Sequence, residues 1–394
     1  MTPRIPRTVI ALGLVSFFMD VSSETIHGLL PLFMTGTLGM SVALVGLIDG
    51  VAESTAAISK VFSGYISDRM GKRKPLILLG YGLSAVTKPL FALASGAGLI
   101  LAARFADRIG KGMRGAPRDA LIADVTPAEI RGRAFGLRQT MDTAGAFCGP
   151  LLAVVLMSLF AGDMRAVFWV AALPAFLAVV CVLLGVEDRA TPKGTGQRPP
   201  PIRLGDLGRF ERGFWLLVAL GVVFTLARFS EGFLVLKAHA EGLPILLAPL
   251  VLVALNLVYS AGAYPAGIMS DKVPASLLLL WGLAALIGAD LLLGLGHGLW
   301  ASFIGIGLWG VHMALTQGLL SKLVADHAPP DLRGSAFGLF NLMTGLAMLL
   351  ASLTAGLVWD RISPSATFLV GAGFAGLAAV MVLVQARRRI SPQS

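Results

Sequence analysis

The chain is short of charge. Of its 394 residues only 14% are Asp, Glu, Lys or Arg, against 56% that are hydrophobic. A soluble domain carries about 25% charged residues, so this composition excludes an ordinary water-solvated fold. Cysteine is almost missing as well. Cys148 and Cys181 both fall inside apolar runs, which argues against a disulfide or a cysteine-based metal site. No nucleophile–base pairing, zincin motif, phosphate loop or appended soluble domain stands out, and no cofactor is expected. The first apolar run is too long for a signal peptide, contains acids and has no small-residue cleavage site, so it is expected to stay in the membrane.

What the chain has instead is length of apolar sequence. Runs of about 20 residues, enough to cross about 30 Å of hydrocarbon, recur throughout, and in lipid such runs must be helical to satisfy their own backbone groups. Twelve helices are predicted, over residues 8–35, 41–66, 74–95, 97–124, 133–160 and 164–186, then 212–238, 244–271, 274–295, 298–325, 334–359 and 364–386. The net charge of +10 does not imply nucleic acid, because the basic residues gather in alternate loops. Arg4 and Arg7 precede the first helix, Arg69, Lys72, Arg73 and Lys74 follow the second, Arg131 and Arg133 follow the fourth, and Arg387, Arg388 and Arg389 end the chain. This bias places both termini and the middle linker in the cytoplasm, for a multi-pass protein of a bacterial-type inner (plasma) membrane. The linker, residues 187–211, is polar and contains Pro199, Pro200 and Pro201, and reads as an extended tether. It separates an N-terminal bundle (1–186) from a C-terminal bundle with a short basic tail (212–394).

The two halves repeat. TPAEIRGRAFGL at Thr126–Leu137 matches APPDLRGSAFGL at Ala328–Leu339; GYISDRMGKRK, from Gly64, has a shortened copy GIMSDK from Gly267; Ser23-Glu24 corresponds to Ser230-Glu231. Three features in the same order at nearly one displacement imply duplication, as in transporters built from parallel six-helix repeats around a midplane site. The pattern G-x-x-x-D-R-x-G-K/R-R, here Gly64, Asp68, Arg69, Gly71, Lys72 and Arg73, closely resembles the signature between the second and third helices of the major facilitator superfamily. The resemblance covers essentially the whole chain. It implies an all-α membrane protein with twelve transmembrane helices in two pseudo-symmetric six-helix bundles, working as a secondary transporter by alternating access. It further implies that Asp68 and Arg69 belong to a cytoplasmic latch; a basic turn that only sets topology is the alternative.

Ionisable groups inside a membrane are expensive and are functional candidates by default. The first helix holds Asp20, Glu24 and His27, spaced to share a face, with Asp20 about 18 Å along the helix from Thr8 at 1.5 Å per residue. The second holds Asp49 and Glu53, one turn apart. The fourth holds Arg104, Asp107, Arg108, Lys111, Arg114 and Arg118, and the fifth Arg138, Gln139 and Asp142. An acid whose environment switches between dry and arginine-paired exchanges a proton, so Glu24, Glu53 and Asp20 are the candidate proton carriers. A static charge-neutralising network is the alternative. Lys60 and Arg118 are expected to snorkel to the interface. Asp49, Arg104, Arg114 and Asp142, with Arg228, Glu231, Asn256, Gln317 and Asn341 from the C-terminal half, are candidates to line the substrate cavity, while His312 reads as a satisfied core histidine. The C-terminal half is poorer in charge, which predicts proton handling in the N-terminal half.

RIGKGMRGAP, Arg108 to Pro117, resembles the superfamily's fourth-helix motif, and that resemblance links Arg108 to proton transfer. Lys111 and Arg114 depart from it by adding positive charge, which suits an anionic substrate. The same stretch contains G-x-G-x-x-G, but no strand precedes it, so it is not a dinucleotide loop. Gly136, Gly145, Gly149 and Pro150 in the fifth helix resemble the motif of the antiporter branches, with Ala153 and Val154 in place of its last two glycines; simple helix packing predicts the same small residues. The leading expectation is therefore proton-coupled export of a small organic compound by a monomer that needs only its substrate, protons and the bilayer. An organic-anion transporter and a divalent-metal exporter using Asp20, His27, Asp49 and Glu53 are the rivals within transport. A membrane-embedded enzyme or a non-transporting sensor is the rival outside it.

Overall fold

A computed structural model describes residues 4–70, 72–188, 204–328 and 332–390. Long apolar runs become helices because every backbone group must find a partner within its own segment, and among the described residues thirteen helices longer than a single turn result: α1 (Arg7–His27), α2 (Val42–Met70), α3 (Lys74–Leu93), α4 (Ala97–Val125), α5 (Arg131–Leu159), α6 (Met164–Gly185), α7 (Arg212–Leu226), α8 (Gly232–Ala240), α9 (Leu250–Lys272), α10 (Ala275–Leu295), α11 (Gly298–His327), α12 (Arg333–Arg361) and α13 (Pro364–Ile390).

Ten of the described helices are long and apolar enough to cross a membrane. Two of the twelve expected spans do not meet that standard. α4 has the length, but its charges take it out of the apolar class. The expected seventh helix, 212–238, is broken into α7 and α8 across residues 227–231. Ser230 explains the break: its hydroxyl accepts the Gly232 N–H (3.2 Å) and donates to Asp49 (2.7 Å), while its own N–H goes to the Ser352 hydroxyl (3.2 Å). Serine bonds of this kind compete with the helical ladder. The first helix also ends early. Pro31 has no N–H for the His27 carbonyl, so α1 stops there, and the chain continues through a short turn, Leu30–Leu32, and a π-helical stretch, Phe33–Thr37.

The contacts divide the chain into two units. The first comprises Met1–Gly39, Val51–Pro201 and Ile245–Leu250. Its core joins Val9, Leu12, Val15 and Met19 of α1 to Ile77 and Tyr81 of α3 and to Ala175, Ala178 and Val182 of α6. Small residues set its helix spacing. A Cβ at Gly145 would stand 2.6 Å from the Phe17 carbonyl oxygen, and one at Gly149 would stand 2.8 Å from that of Val21, so α1 and α5 meet almost backbone to backbone. Thr25 fastens that seam by donating to the Gly149 carbonyl at 2.9 Å. Gly80 and Gly110 do the same for α3 and α4. Gly80→Val therefore forces a side chain into the Gly110 carbonyl and is expected to lower stability by about 1–3 kcal/mol. Gly82, with open space around it, should accept valine with little change; thermal melts of the two purified variants make the comparison. Asp163 caps α6 by accepting the N–H groups of Arg165 and Ala166 at 2.9 and 3.3 Å, as carboxylates do at helix starts.

The second unit comprises Met40–Gly50, Ile202–Pro244 and Val251–Ser394, so α2 begins in this unit and passes into the first at Val51. Within it Asp360 of α12 accepts the first N–H groups of α2, from Val42 (3.1 Å) and Ala43 (2.7 Å), and Gly46 and Gly50 pack against α12 at Ser352 and Leu349. Phe210, Phe214, Leu217 and Val218 form a core with Val324, Leu332, Ala336 and Phe340. α10 packs between α11 and α13. Outward-facing apolar side chains such as Leu184, Tyr264 and Trp300 are 84%, 79% and 65% exposed; that much bare apolar surface belongs against lipid.

Candidate functional site

Residues of α1, α2 and α4 in the first unit bring acids and bases together, those of α1 from its last turn. Arg104 and Arg108 lie one turn apart on α4, are both buried, and converge on a single atom of α1. The Nε2 of His27 takes Arg104 Nη1 at 2.5 Å and Arg108 Nη2 at 3.0 Å. A nitrogen that receives two guanidinium donors must present its lone pair, so His27 carries its proton on Nδ1. That proton points toward Glu24 Oε1, 3.5 Å away and one turn earlier on α1. From the other side Glu53 of α2 reaches Arg108 Nη2 at 3.4 Å. The result is a continuous path, Glu24–His27–Arg108–Glu53, driest at Arg108, whose side chain is 3% exposed, and more open at its two ends, Glu53 at 40% and Glu24 at 23%. Protonating either acid removes a charge that faces the arginines and loosens the pair.

A second shell of ions surrounds this path. Lys88 of α3 donates to Asp107 of α4 and to the Ser23 hydroxyl of α1, each at 3.0 Å, and the two ionic side chains are 1% and 3% exposed. Arg114 donates to the Ser84 hydroxyl at 2.5 Å and lies 4.6 Å over the Tyr81 ring, so it binds α4 to α3. Asp142 of α5 faces Arg138 at 3.5 Å and Arg118 at 3.8 Å. Arg118 does not snorkel as its position predicts. It turns inward to the Ser16 hydroxyl (3.0 Å) and Asp119 (3.0 Å), acceptors that satisfy its guanidinium within the bundle. Lys60 is exposed, and Lys111 is exposed on α4.

The other expected residues are dispersed. Asp49 shares a helical face with Glu53 in the sequence, yet it lies in the second unit, 2% exposed, and accepts the Ser230 hydroxyl. Arg228 and Glu231 lie in and at the end of the break between α7 and α8. Asn256 and Asn341 are half-buried on α9 and α12, and Gln317 of α11 accepts the Tyr259 hydroxyl of α9 at 3.1 Å. His312 is only half satisfied: its Nδ1 meets the Gly282 carbonyl at 2.8 Å, but its Nε2 has no partner among the described residues. In the basic turn, Gly64, Asp68 and Arg69 continue the α2 backbone and Gly71 lies outside the described residues. Lys72 lines a cavity of about 380 Å³ with Lys74, Pro75, Leu78 and Asp188, and Arg73 pairs with Asp124 at 3.0 Å. Pro150 is buried within α5 beside Gly149. Both cysteines are free. Among the described residues no group of three or more His, Cys, Asp or Glu is placed to hold a metal ion.

Two buried ions were not singled out by the sequence patterns. Lys88 is the one charge between Pro75 and Leu93, and Asp290 the one charge in α10. A lone ion in an otherwise apolar membrane helix is itself the signal, and both carry it.

A family profile described as Major Facilitator Superfamily matches residues 12–255 and 233–394. An uncharacterized MFS-type transporter of Methanocaldococcus jannaschii is 31% identical over 388 residues, 96% of this chain and 95% of that one. The multidrug resistance protein MdtH of Yersinia enterocolitica is 32% identical over 141 residues, 36% of this chain and 34% of its own. In three dimensions the chain is similar to a crystal structure of the nucleoside transporter NupG, with a TM-score of 0.78 over 96% of this chain and 99% of that one at 16% identity; at that identity the likeness is one of fold.

Proposed function

The chain belongs to the Major Facilitator Superfamily of multi-pass membrane transporters, which bind small molecules, and on that premise we propose that it exports a small organic compound in exchange for protons. The observation that carries the reading is the path Glu24–His27–Arg108–Glu53. Buried arginines that meet a histidine of one helix, itself beside an acid, and an acid of another helix form a network whose pairing changes with one proton, and an intramembrane network of this kind is characteristic of proton relays. Glu53 is the member open to water, and Glu24 is its counterpart behind His27. Asp20 and Asp142 add a second pair of acids, and neighbouring carboxyl groups resist ionising together. A proton arriving at Glu53 ends its hold on Arg108, which then turns wholly to His27 and Glu24; a substrate cation entering beside Glu53 has the opposite preference. The same acids thus take protons and substrate in alternation. The local likeness to a multidrug resistance protein supports export as the direction. Both termini and the linker lie in the cytoplasm of an inner membrane on this reading, the basic turn from Gly64 to Arg73 acts as the latch, Gly145, Gly149 and Pro150 let α5 shift along α1, and the monomer is the working unit.

Proton movement in proteoliposomes under a pH gradient, followed by a pH-sensitive dye, tests this. Organic cations, organic anions, sugars and divalent metals are added in turn to wild type, Glu24→Gln and Glu53→Gln vesicles. One class should drive protons through wild type and not through either variant. Coupling that persists in both variants would remove these acids as carriers.

A second reading rests on a specific feature of the same site. Arg104 and Arg108 aim at one point, presently filled by the His27 ring, and two guanidinium groups around one acceptor suit a carboxylate or phosphate. An anionic substrate would displace His27 from between them. In the same assay, protons moved by organic anions alone would select this reading.

A further inference from the structure

Asp290 is 0% exposed, and neither carboxyl oxygen has a hydrogen-bond partner among the described residues. Its surroundings are specific. Gly371 of α13 presents a bare Cα to it: a Cβ there would stand 2.8 Å from Asp290 Oδ2, 3.3 Å from the Ala227 carbonyl oxygen and 3.3 Å from Phe229 Cε1. The carboxyl, the last carbonyl of α7 and the central side chain of the α7–α8 break therefore converge on one glycine. Phe229 closes the place by packing edge-on against Phe233, Trp309 and Phe368, at 5.2, 5.4 and 5.4 Å. Buried polar atoms without partners are rare, yet of the eight such side-chain atoms among the described residues four, both Asp290 oxygens, Trp309 Nε1 and His312 Nε2, lie around this break.

An ionised carboxylate so placed would cost several kcal/mol with nothing to offset it. Its neighbours supply no counter-charge. α10 has no other ion, and α13 none from Pro364 to Gln385. On α11 the described titratable side chains are His312, held by the Gly282 carbonyl two turns before Asp290 on α10, and Asp326 and His327 in its last turn. In the break the charged groups are Arg228, which lies by His312, and Glu231. A protonated carboxyl, by contrast, has an O–H to give and a helix-end carbonyl beside it.

We infer that Asp290 is a second proton-binding site, in the C-terminal unit, loaded and unloaded by movement of the α7–α8 break. In the arrangement seen here the carboxyl holds its proton behind Phe229. When the break swings away, water and the Arg228 guanidinium reach the site. The O–H bond then breaks, its electron pair stays on Asp290 and the proton passes to water; the return movement follows re-protonation from water. The inference needs a transporter that changes conformation, as proposed above, but neither the direction of transport nor the Glu24–Glu53 path.

Infrared difference spectra of the purified full-length protein in liposomes, recorded along a pH series, test it without a substrate. Wild type should show, beside any band of the Asp20–Asp142 pair, a separate protonated-carboxyl stretch at neutral pH that is lost in Asp290→Asn and kept in Glu24→Gln. Phe229→Ala, which opens the site to water, should lose that band at a lower pH than wild type does. Asp290→Glu keeps the acid and shifts the band, and gives the assignment independently if the asparagine variant does not accumulate. An unchanged protonated-carboxyl region in Asp290→Asn or Asp290→Glu would overturn the site. A Phe229→Ala band that titrates as in wild type would overturn its control by the break.

Discussion

Arg108→Ala is expected to abolish transport, by at least about a hundredfold, while Lys60→Ala leaves it close to wild type. Arg108 joins Glu53, at 3.4 Å, to His27, at 3.0 Å, and its side chain is 3% exposed. Taking one partner out of a buried ionic arrangement costs about 3–5 kcal/mol, mostly as the penalty on the charge left behind; at 1.36 kcal/mol per decade that corresponds to a factor of a hundred or more. Arg108→Lys should recover little. A lysine ammonium is a single point of charge and cannot serve two acceptors in different directions with the planar fork that arginine offers. Lys60 is exposed and has no part in the path. Initial rates in proteoliposomes, normalised to reconstituted protein and checked by melting temperature, decide the matter. A larger loss from Lys60→Ala than from Arg108→Ala would undo the assignment of α4.

Much of this architecture is legible in the sequence because lipid leaves few choices. Apolar runs of spanning length must be helices, and the repeated basic turn and the paired Ser-Glu dipeptides disclose a duplicated bundle. The spacing of Asp20, Glu24 and His27 likewise puts them on one face of α1. What spacing does not carry is the partner on another helix. Asp49 and Glu53 are one turn apart on α2, yet Asp49 takes the Ser230 hydroxyl while Glu53 takes Arg108, because α2 leaves one unit for the other between them. Arg114 reads as surplus positive charge until Ser84 and Tyr81 are seen to hold it. The break after Leu226 is illegible for a related reason: Arg228, Ser230 and Glu231 could as well sit on one face of a continuous helix, and what marks the break is the set of bonds Ser230 makes with Asp49, Ser352 and Gly232.

The buried pair of Lys88 and Asp107 should give the largest stability effect in the chain. Lys88 Nζ lies 3.0 Å from Asp107 Oδ1 and 3.0 Å from the Ser23 hydroxyl, so one ammonium ties α3 to α4 and α1. Lys88→Met leaves a carboxylate alone in the interior and is expected to cost about 3–5 kcal/mol. Asp107→Asn leaves the ammonium alone and should cost about as much. The double variant removes both charges, and because desolvating an ion pair offsets most of its attraction, it should stand much nearer to wild type than either single variant does. A coupling of this sign, read from melts of the four purified proteins as a double-mutant cycle, identifies a pair whose members are each needed chiefly by the other. Additive losses would instead show that Lys88 acts through Ser23 and the helix seam. The pair also bears on transport. Asp107 is one residue before Arg108, and holding Asp107 with Lys88 keeps that carboxylate from competing with Glu53 and Glu24 for the arginine. Lys88→Met should therefore weaken coupling even in molecules that remain folded, because the freed Asp107 carboxylate becomes a partner for Arg108 that no proton on Glu53 can displace.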